Sequence, residues 1–276
     1  MVATADAFLE LHTPGTPLLL PNAWDVGSAK VLASLGFRAL ATTSSGYAAT
    51  LGRLDNSVSR AEALAHAAEL GAATGLPINA DLENCYADEP EGVAETIRLA
   101  AERGIAGASV EDYTGDPSRP MYEFDFAVER VRAAVETAHA GPRRLVLVAR
   151  ADNGFHGIDD LDDTIRRLQA YQEAGADVLY APGPTDAEDI RRIVESVDRP
   201  VNVLARPGTP SVAELAELGV ARISVGGSFA FAALGALVDA ATELRDHGTY
   251  GYAARSAVGG QAARQAFSAP EAAAQG

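Results

Sequence analysis

Short apolar runs recur along the chain, and each leads into a longer stretch whose apolar positions return every three or four residues. The first pattern is that of strands buried on both faces, the second that of helices packed along one side. The runs at 18–21, 38–42, 77–83, 105–111, 144–150, 177–181, 200–204 and 221–225 predict eight strands. Helices are predicted over 25–35, 59–70, 90–103, 124–140, 159–174 and 228–246, with two more opening at 185 and 211. Three of the starts carry capping boxes, Ser59 with Glu62, Thr185 with Glu188 and Ser211 with Glu214. Pro90 suits a first helical turn, and Gly36 and Gly219 suit helix ends. Residues 1–16 predict a short helix and turn that cover one end, 43–55 an irregular loop, 248–267 an extra helix and 268–276 a frayed tail. Eight strand–helix repeats in about 230 residues match one (β/α)8 TIM barrel better than an open sheet. No linker interrupts them, so residues 1–276 read as a single domain.

In such a barrel the chemistry sits where the strands end. The third run closes on Asp81-Leu82-Glu83 and the fourth on Glu111-Asp112. Side chains alternate faces along a strand, so Asp81 and Glu83 share a face if the run stays extended. Glu111 closes the neighbouring parallel strand. Any one of these acids alone reads equally well as an N-cap or loop acid. Together they form an oxygen-rich negative site for a hard cation, Mg2+ or Mn2+. Arg150 ends a strongly apolar strand and can bind a carboxylate bidentately, or pair structurally with Asp152 or Glu111. Thr43, Ser44, Ser45 and Gly46 supply small donors after the second strand. Asp55, Asn202, Arg206, Ser224 and Gly226-Gly227 fall at other strand ends. The set suits an enolate held beside a metal.

Composition narrows the partners. The 276 residues carry a formal net charge of −16, which argues against nucleic acid and anionic membranes. An anionic substrate stays open, because a metal and local arginines reverse the sign inside a cleft. The single cysteine, Cys85, excludes an intrachain disulfide and suits a reducing cytoplasm; without basic neighbours it reads as inert. Lys30 is the only lysine and lies in a predicted helix, which argues against Schiff-base chemistry. His66 and His139 fall on helices, whereas His156 follows the fifth strand within reach of the site.

The order and spacing of several motifs resemble the isocitrate lyase/phosphoenolpyruvate mutase family. They are Pro-Asn-Ala-Trp-Asp-Val-Gly-Ser-Ala-Lys (21–30), the Thr-Thr-Ser-Ser-Gly loop, Leu-Gly-Arg-Leu-Asp (51–55), Asp-Leu-Glu-Asn-Cys-Tyr (81–86), Ser-Val-Glu-Asp (109–112), Val-Ala-Arg-Ala-Asp (148–152) and Pro-Val-Asn-Val (200–203). The resemblance implies a Mg2+-dependent modified TIM barrel that makes or breaks C–C or P–C bonds next to an enolpyruvate-like intermediate. It places the metal on Asp81, with Glu83 and Glu111 acting partly through water, where the family usually has Asp-x-Asp. It makes Asp55 an active-site aspartate, Arg150 a substrate-binding arginine and Thr43–Gly46 the cradle of a substrate carboxylate. It also implies a homo-oligomer, a dimer or tetramer, whose last helices exchange between subunits. The apolar Tyr250, Tyr252, Val258 and Phe267 beyond the barrel fit that expectation.

The departures bear on the reaction. The loop 113–123 lacks the cysteine, histidine and lysines that the lyases and mutases carry there, and Pro182-Gly183 replaces the lyases' glutamate. Arg119, Tyr113 and Tyr122 are its remaining candidates for contacting substrate as it closes over the site. The leading expectation is a Mg2+-dependent lyase that cleaves a C–C bond of a small 2-oxo or 2-hydroxy dicarboxylate through a metal-stabilised enolate. A phosphonomutase acting on phosphoenolpyruvate or carboxyphosphonoenolpyruvate, or a phosphonopyruvate hydrolase, is the alternative within the family. A catalytically silent barrel that binds metal and carboxylate is the alternative outside it.

Overall fold

A computed structural model describes residues 5–141 and 143–268. All strands lie in one parallel sheet: β1 (Leu18–Leu20), β2 (Asn22–Ala23), β3 (Leu40–Thr42), β4 (Ile78–Asp81), β5 (Gly107–Glu111), β6 (Val146–Arg150), β7 (Val178–Tyr180), β8 (Val201–Leu204) and β9 (Arg222–Ser224). The predicted first strand, 18–21, is β1, and after Pro21 a further short strand, β2, follows that the sequence did not predict. β1 pairs with β9 and β2 with β3, so the two join the ends of the sheet into a barrel. The helices are α1 (Ala5–Leu9), α2 (Val26–Ser34), α3 (Ser44–Thr50), α4 (Arg60–Thr74), α5 (Pro90–Glu102), α6 (Phe124–Ala140), α7 (Leu161–Glu173), α8 (Ala187–Glu195), α9 (Val212–Glu217), α10 (Ser228–His247) and α11 (Ala253–Phe267). The expected (β/α)8 architecture is therefore present. The expected frayed tail lies outside the described residues, apart from Ser268.

Strand parity divides the side chains into two sets. Ile78, Ala80, Ala108, Val110, Leu147, Ala149 and Leu179 face the helices and fill the outer core. Leu18, Leu20, Ala41, Val146, Val148, Val178 and Tyr180 face the barrel interior, which Phe8 of α1 closes from below. The same alternation turns Asn79, Asp81, Ser109, Glu111, Arg150, Asn202, Arg222 and Ser224 inward. The upper interior of this barrel is thus polar. Eight such side chains, most of them buried, must find partners or a ligand.

Two departures from the sequence pattern matter for the site. Residues 44–50 form a helix, α3, where small hydroxylated residues predict a loop. Thr43 caps it, its hydroxyl accepting from the Gly46 N–H at 3.3 Å. A Cβ on Gly46 would stand 2.5 Å from Thr43 Cγ2, so a glycine is needed where α3 packs against Trp24 and Ala230. At the other end of the chain, α10 buries only Ala230. Phe231, Leu234, Leu237, Val238 and Leu244 on it are exposed, and α11 packs against α2.

Candidate active site

The carboxyl ends of the strands open into a cavity of about 450 Å3. Asp81, the last residue of β4, is fixed from two sides: its backbone N–H donates to Thr42 Oγ1 at 2.8 Å, and its carboxylate accepts from the Ser44 N–H at 3.0 Å. Ser44 begins α3, so the amide end of a helix faces the carboxylate. Glu83 reaches the same cavity by a different route from the one strand alternation predicts. The strand stops at Asp81, and Glu83 adopts a left-handed backbone with φ 52°; Cys85 and Tyr86 follow at 62° and 57°. Three such conformations in four non-glycine residues cost about 1–2 kcal/mol each unless the surroundings impose them.

Arg130 of α6 imposes them. It is buried, and its guanidinium donates to the carbonyls of Asn84, Ala87, Asp88 and Glu111 at 2.6–3.1 Å. Tyr122 stacks on it at 3.9 Å and hydrogen-bonds Asp88. One side chain therefore ties the turn after β4 to the end of β5 and sets where Glu83 and Glu111 point. A single arginine within a helix gives no sequence signal for this role.

Arg150 stands at the centre of the acids. Its guanidinium lies 2.5 Å from Glu111, 3.3 Å from Asp81 and 2.8 Å from Asp152. Burial works against its charge, but Asp152 and Glu111 hold it protonated. These are the ion pairs to Glu111 and Asp152 that the sequence offered as one reading of Arg150, with Asp81 added. Asp112 faces away from the cavity. It accepts from Tyr171, Arg167 and the Asp152 N–H at 2.6–3.1 Å and so orients Asp152 from behind.

Burial pushes the Glu83 carboxyl up to about 8, with Asp81 and Asp55 adding to the effect, and its Oε1 has no hydrogen-bond partner among the described residues. Burial also raises Glu111 well above the carboxylate range. Among the described residues no three acids, histidines or cysteines stand placed to hold a metal ion together. That does not disfavour Mg2+, which keeps several waters and takes one or two carboxylates directly. Asp81 as the direct ligand, with Glu83 and Glu111 beyond water, fits the oxygen donors and the orphaned Glu83 oxygen.

The remaining predicted residues divide. Thr43, Ser44, Ser45 and Asp55 line the cavity, the last at its rim. Gly46 and Asn202 do not. Gly46 serves packing, and Asn202 is buried in the wall, donating to Ser224 Oγ at 3.0 Å. Arg119 does not line this cavity. The loop 113–123 folds back on itself through a Tyr113–Met121 bridge and a Thr114 N–H to Pro120 carbonyl bond of 2.8 Å. That fold turns Arg119 to a separate depression beside Asp88, Glu89 and Tyr122. Tyr113 of the same loop does line the cavity. It stacks at 3.6 Å on His156, whose Nε2 lies 4.0 Å from Asp152. Cys85 is buried, with its thiol pushed up to about 12 by burial, and is no nucleophile.

The match to known proteins runs through these same elements. The family model for phosphoenolpyruvate phosphomutase matches residues 8–245. A crystal structure from Burkholderia cenocepacia J2315, whose lyase/mutase designation is provisional, superposes with a TM-score of 0.92 at 52% identity, covering 98% of this chain and 97% of the other. The 2,3-dimethylmalate lyase of Eubacterium barkeri is 28% identical over 258 residues, 89% of this chain and 88% of that enzyme. An oxaloacetate decarboxylase from Chromohalobacter salexigens is 30% identical over 249 residues, 82% of this chain and 79% of that enzyme. The chain belongs to the phosphoenolpyruvate phosphomutase family, within the isocitrate lyase/phosphoenolpyruvate mutase superfamily.

Proposed function

We propose that the protein is a Mg2+- or Mn2+-dependent lyase that cleaves a C–C bond of a small 2-oxo or 2-hydroxy dicarboxylate. The observation that carries this reading is the convergence of Asp81, Glu83 and Glu111 with the Ser44–Ser45 end of α3 in one cavity. The relatives named for 2,3-dimethylmalate and oxaloacetate act on acids of this class and support it. When bound, the divalent ion supplies Lewis-acid polarisation of the oxygen on C2. Asp81 would hold it directly, with Glu83 and Glu111 behind water.

The protein's own groups do the rest. Ser44 and Ser45, at the start of α3, offer hydroxyls, and Ser45 its amide N–H, to the carboxylate beside that oxygen; the Ser44 N–H stays on Asp81. Arg150, fixed by Glu111 and Asp152, contributes positive charge to the cavity without moving. Because the loop has no cysteine, Tyr113 is the group at the mouth with a proton to give, and His156, held below its ordinary pKa by burial and so neutral near pH 7, is the base that can take one. Of the loop 113–123, Tyr113 is the residue that stands in the cavity lining.

The last barrel helix, α10, leaves a row of apolar side chains uncovered, which supports a homo-oligomer, a dimer or tetramer, in which this arm packs on a second copy. The decisive experiment incubates the pure protein and Mg2+ with 2,3-dimethylmalate, oxaloacetate, methylisocitrate and phosphonopyruvate, and follows pyruvate and phosphate. Release of pyruvate without phosphate is the expected result. Phosphate release from phosphonopyruvate would move the protein to P–C chemistry, and no turnover of any would leave a silent binding barrel.

A further inference from the structure

The floor of the cavity carries a cation with no counter-charge. Arg222, the first residue of β9, is 2% exposed, points into the barrel and lines the cavity from below. Its Nη1 donates to Asn79 Oδ1 at 3.3 Å and lies 3.4 Å from His12 Nε2, both long contacts to neutral groups. His12 is held neutral by burial, and its Nδ1 lies 3.0 Å from the Phe8 carbonyl, which leaves Nε2 as an acceptor. The Nε of Arg222 has no partner among the described residues. Asn202, its neighbour across the β8–β9 register, buries a side-chain oxygen that is also unpartnered.

Three arginines line this cavity. Arg150 is engaged by three carboxylates, and Arg206 is exposed at the mouth over Phe155. Arg222 alone is buried and without an acid. A buried guanidinium lacking a counter-ion is costly, and protein interiors do not keep one without compensation. Among the described residues none supplies that compensation.

We propose that Arg222 is the receptor for the second carboxylate of the substrate, the one remote from the metal acids. The assignment rests on the lyase reading for the other end of the molecule. The spacing suits it. Arg222 touches Asn79, and Asp81 stands two residues further along β4, about 7 Å at the rise of a strand. A four- or five-carbon diacid covers about that distance. Asn79, Asn202, Ser224 and Tyr180 surround the floor with neutral groups, so a carboxylate there meets one positive charge and no negative one. The amide of Asn202 can turn to present its N–H to the anion.

The test uses the whole protein, the Arg222→Met and Arg222→Lys variants, and two probes that differ only at one end. Malate and 2-hydroxybutyrate share the 2-hydroxy acid and four carbons; only malate has the second carboxylate. With Mg2+ present, wild type should bind malate about tenfold or more tightly than 2-hydroxybutyrate, the worth of a charge-assisted pair. Arg222→Met should erase that preference and leave 2-hydroxybutyrate binding unchanged, and Arg222→Lys should keep part of it. Without Mg2+ and without ligand, Arg222→Met should melt at or above the wild-type temperature, because it removes an uncompensated charge. Succinate should raise the melting temperature of wild type and not that of Arg222→Met. A preference for malate that survives in Arg222→Met overturns the assignment. So does a variant that melts well below wild type, which marks a structural guanidinium, or chloride that protects as well as succinate. If succinate protects through Arg222 while no 2-hydroxy or 2-oxo acid is turned over, the anion site stands and the lyase reading falls.

Discussion

Replacing His66 by phenylalanine tests how the scaffold behind the site responds to acid. His66 of α4 is buried and stacks on Tyr47 of α3 at 3.9 Å, with the rings 8° from parallel. Its Nε2 has no hydrogen-bond partner among the described residues, and burial depresses its pKa from 6.5 to about 4, opposed by Asp25. The unfolded chain therefore takes up the proton first as the pH falls. The stabilisation is fully present above 6.5 and is lost as the pH drops through about 4. Roughly 2.5 units at about 1.4 kcal/mol each give a total near 3.5 kcal/mol, of which about 2 kcal/mol is gone by pH 5. A phenylalanine keeps the stacking partner of Tyr47 and removes the titration. Urea unfolding of both proteins at pH 8, 6.5 and 5 should show the variant gaining on wild type by about 2 kcal/mol across that range. The consequence reaches the cavity, because Tyr47 lies on the helix whose first turn carries Ser44 and Ser45. Parallel stability profiles for the two proteins would refute the reasoning.

Asp81→Ala should abolish the rise in melting temperature that Mg2+ or Mn2+ gives wild type; an undiminished rise would remove Asp81 as the metal ligand. His156→Gln should lower kcat/KM by about tenfold or more, as for a group that moves a proton in the transition state, whereas Arg119→Ala should leave it within about twofold. Equal losses in the two variants would return Arg119 to the site. Arg130→Met strips four carbonyl partners from a buried staple and should cost about 3 kcal/mol or more in unfolding free energy, against little change for the exposed Arg132→Met. Light scattering should give a dimer or tetramer for the full chain, and a chain ending at His247 or carrying Leu237→Asp should shift toward monomer.

The barrel was legible in the sequence because strand and helix periods differ and each repeat states both. The acids were legible too, since Asp81 and Glu111 end apolar runs, and parallel strands deliver their ends to one mouth. A finer signal lay in the same strands. Ile-Asn-Ala-Asp, Val-Asn-Val and Arg-Ile-Ser alternate where fully buried parallel strands run apolar throughout, which marks Asn79, Asn202, Arg222 and Ser224 as facing a polar interior. The tertiary structure decided what sequence spacing does not encode. Pro21 separates β1 from an unpredicted β2, and the two close different sides of the sheet. Thr43 starts a helix in residues that otherwise favour turns, because Gly46 lets it pack against Trp24 and Ala230. The turn of the 113–123 loop carried Arg119 away and left Tyr113 on His156. Arg150 became the partner of three acids and Arg222 of none, although both are inward arginines at strand ends. Charge pairing depends on distances between strands far apart in the chain, and only closure of the barrel sets those distances.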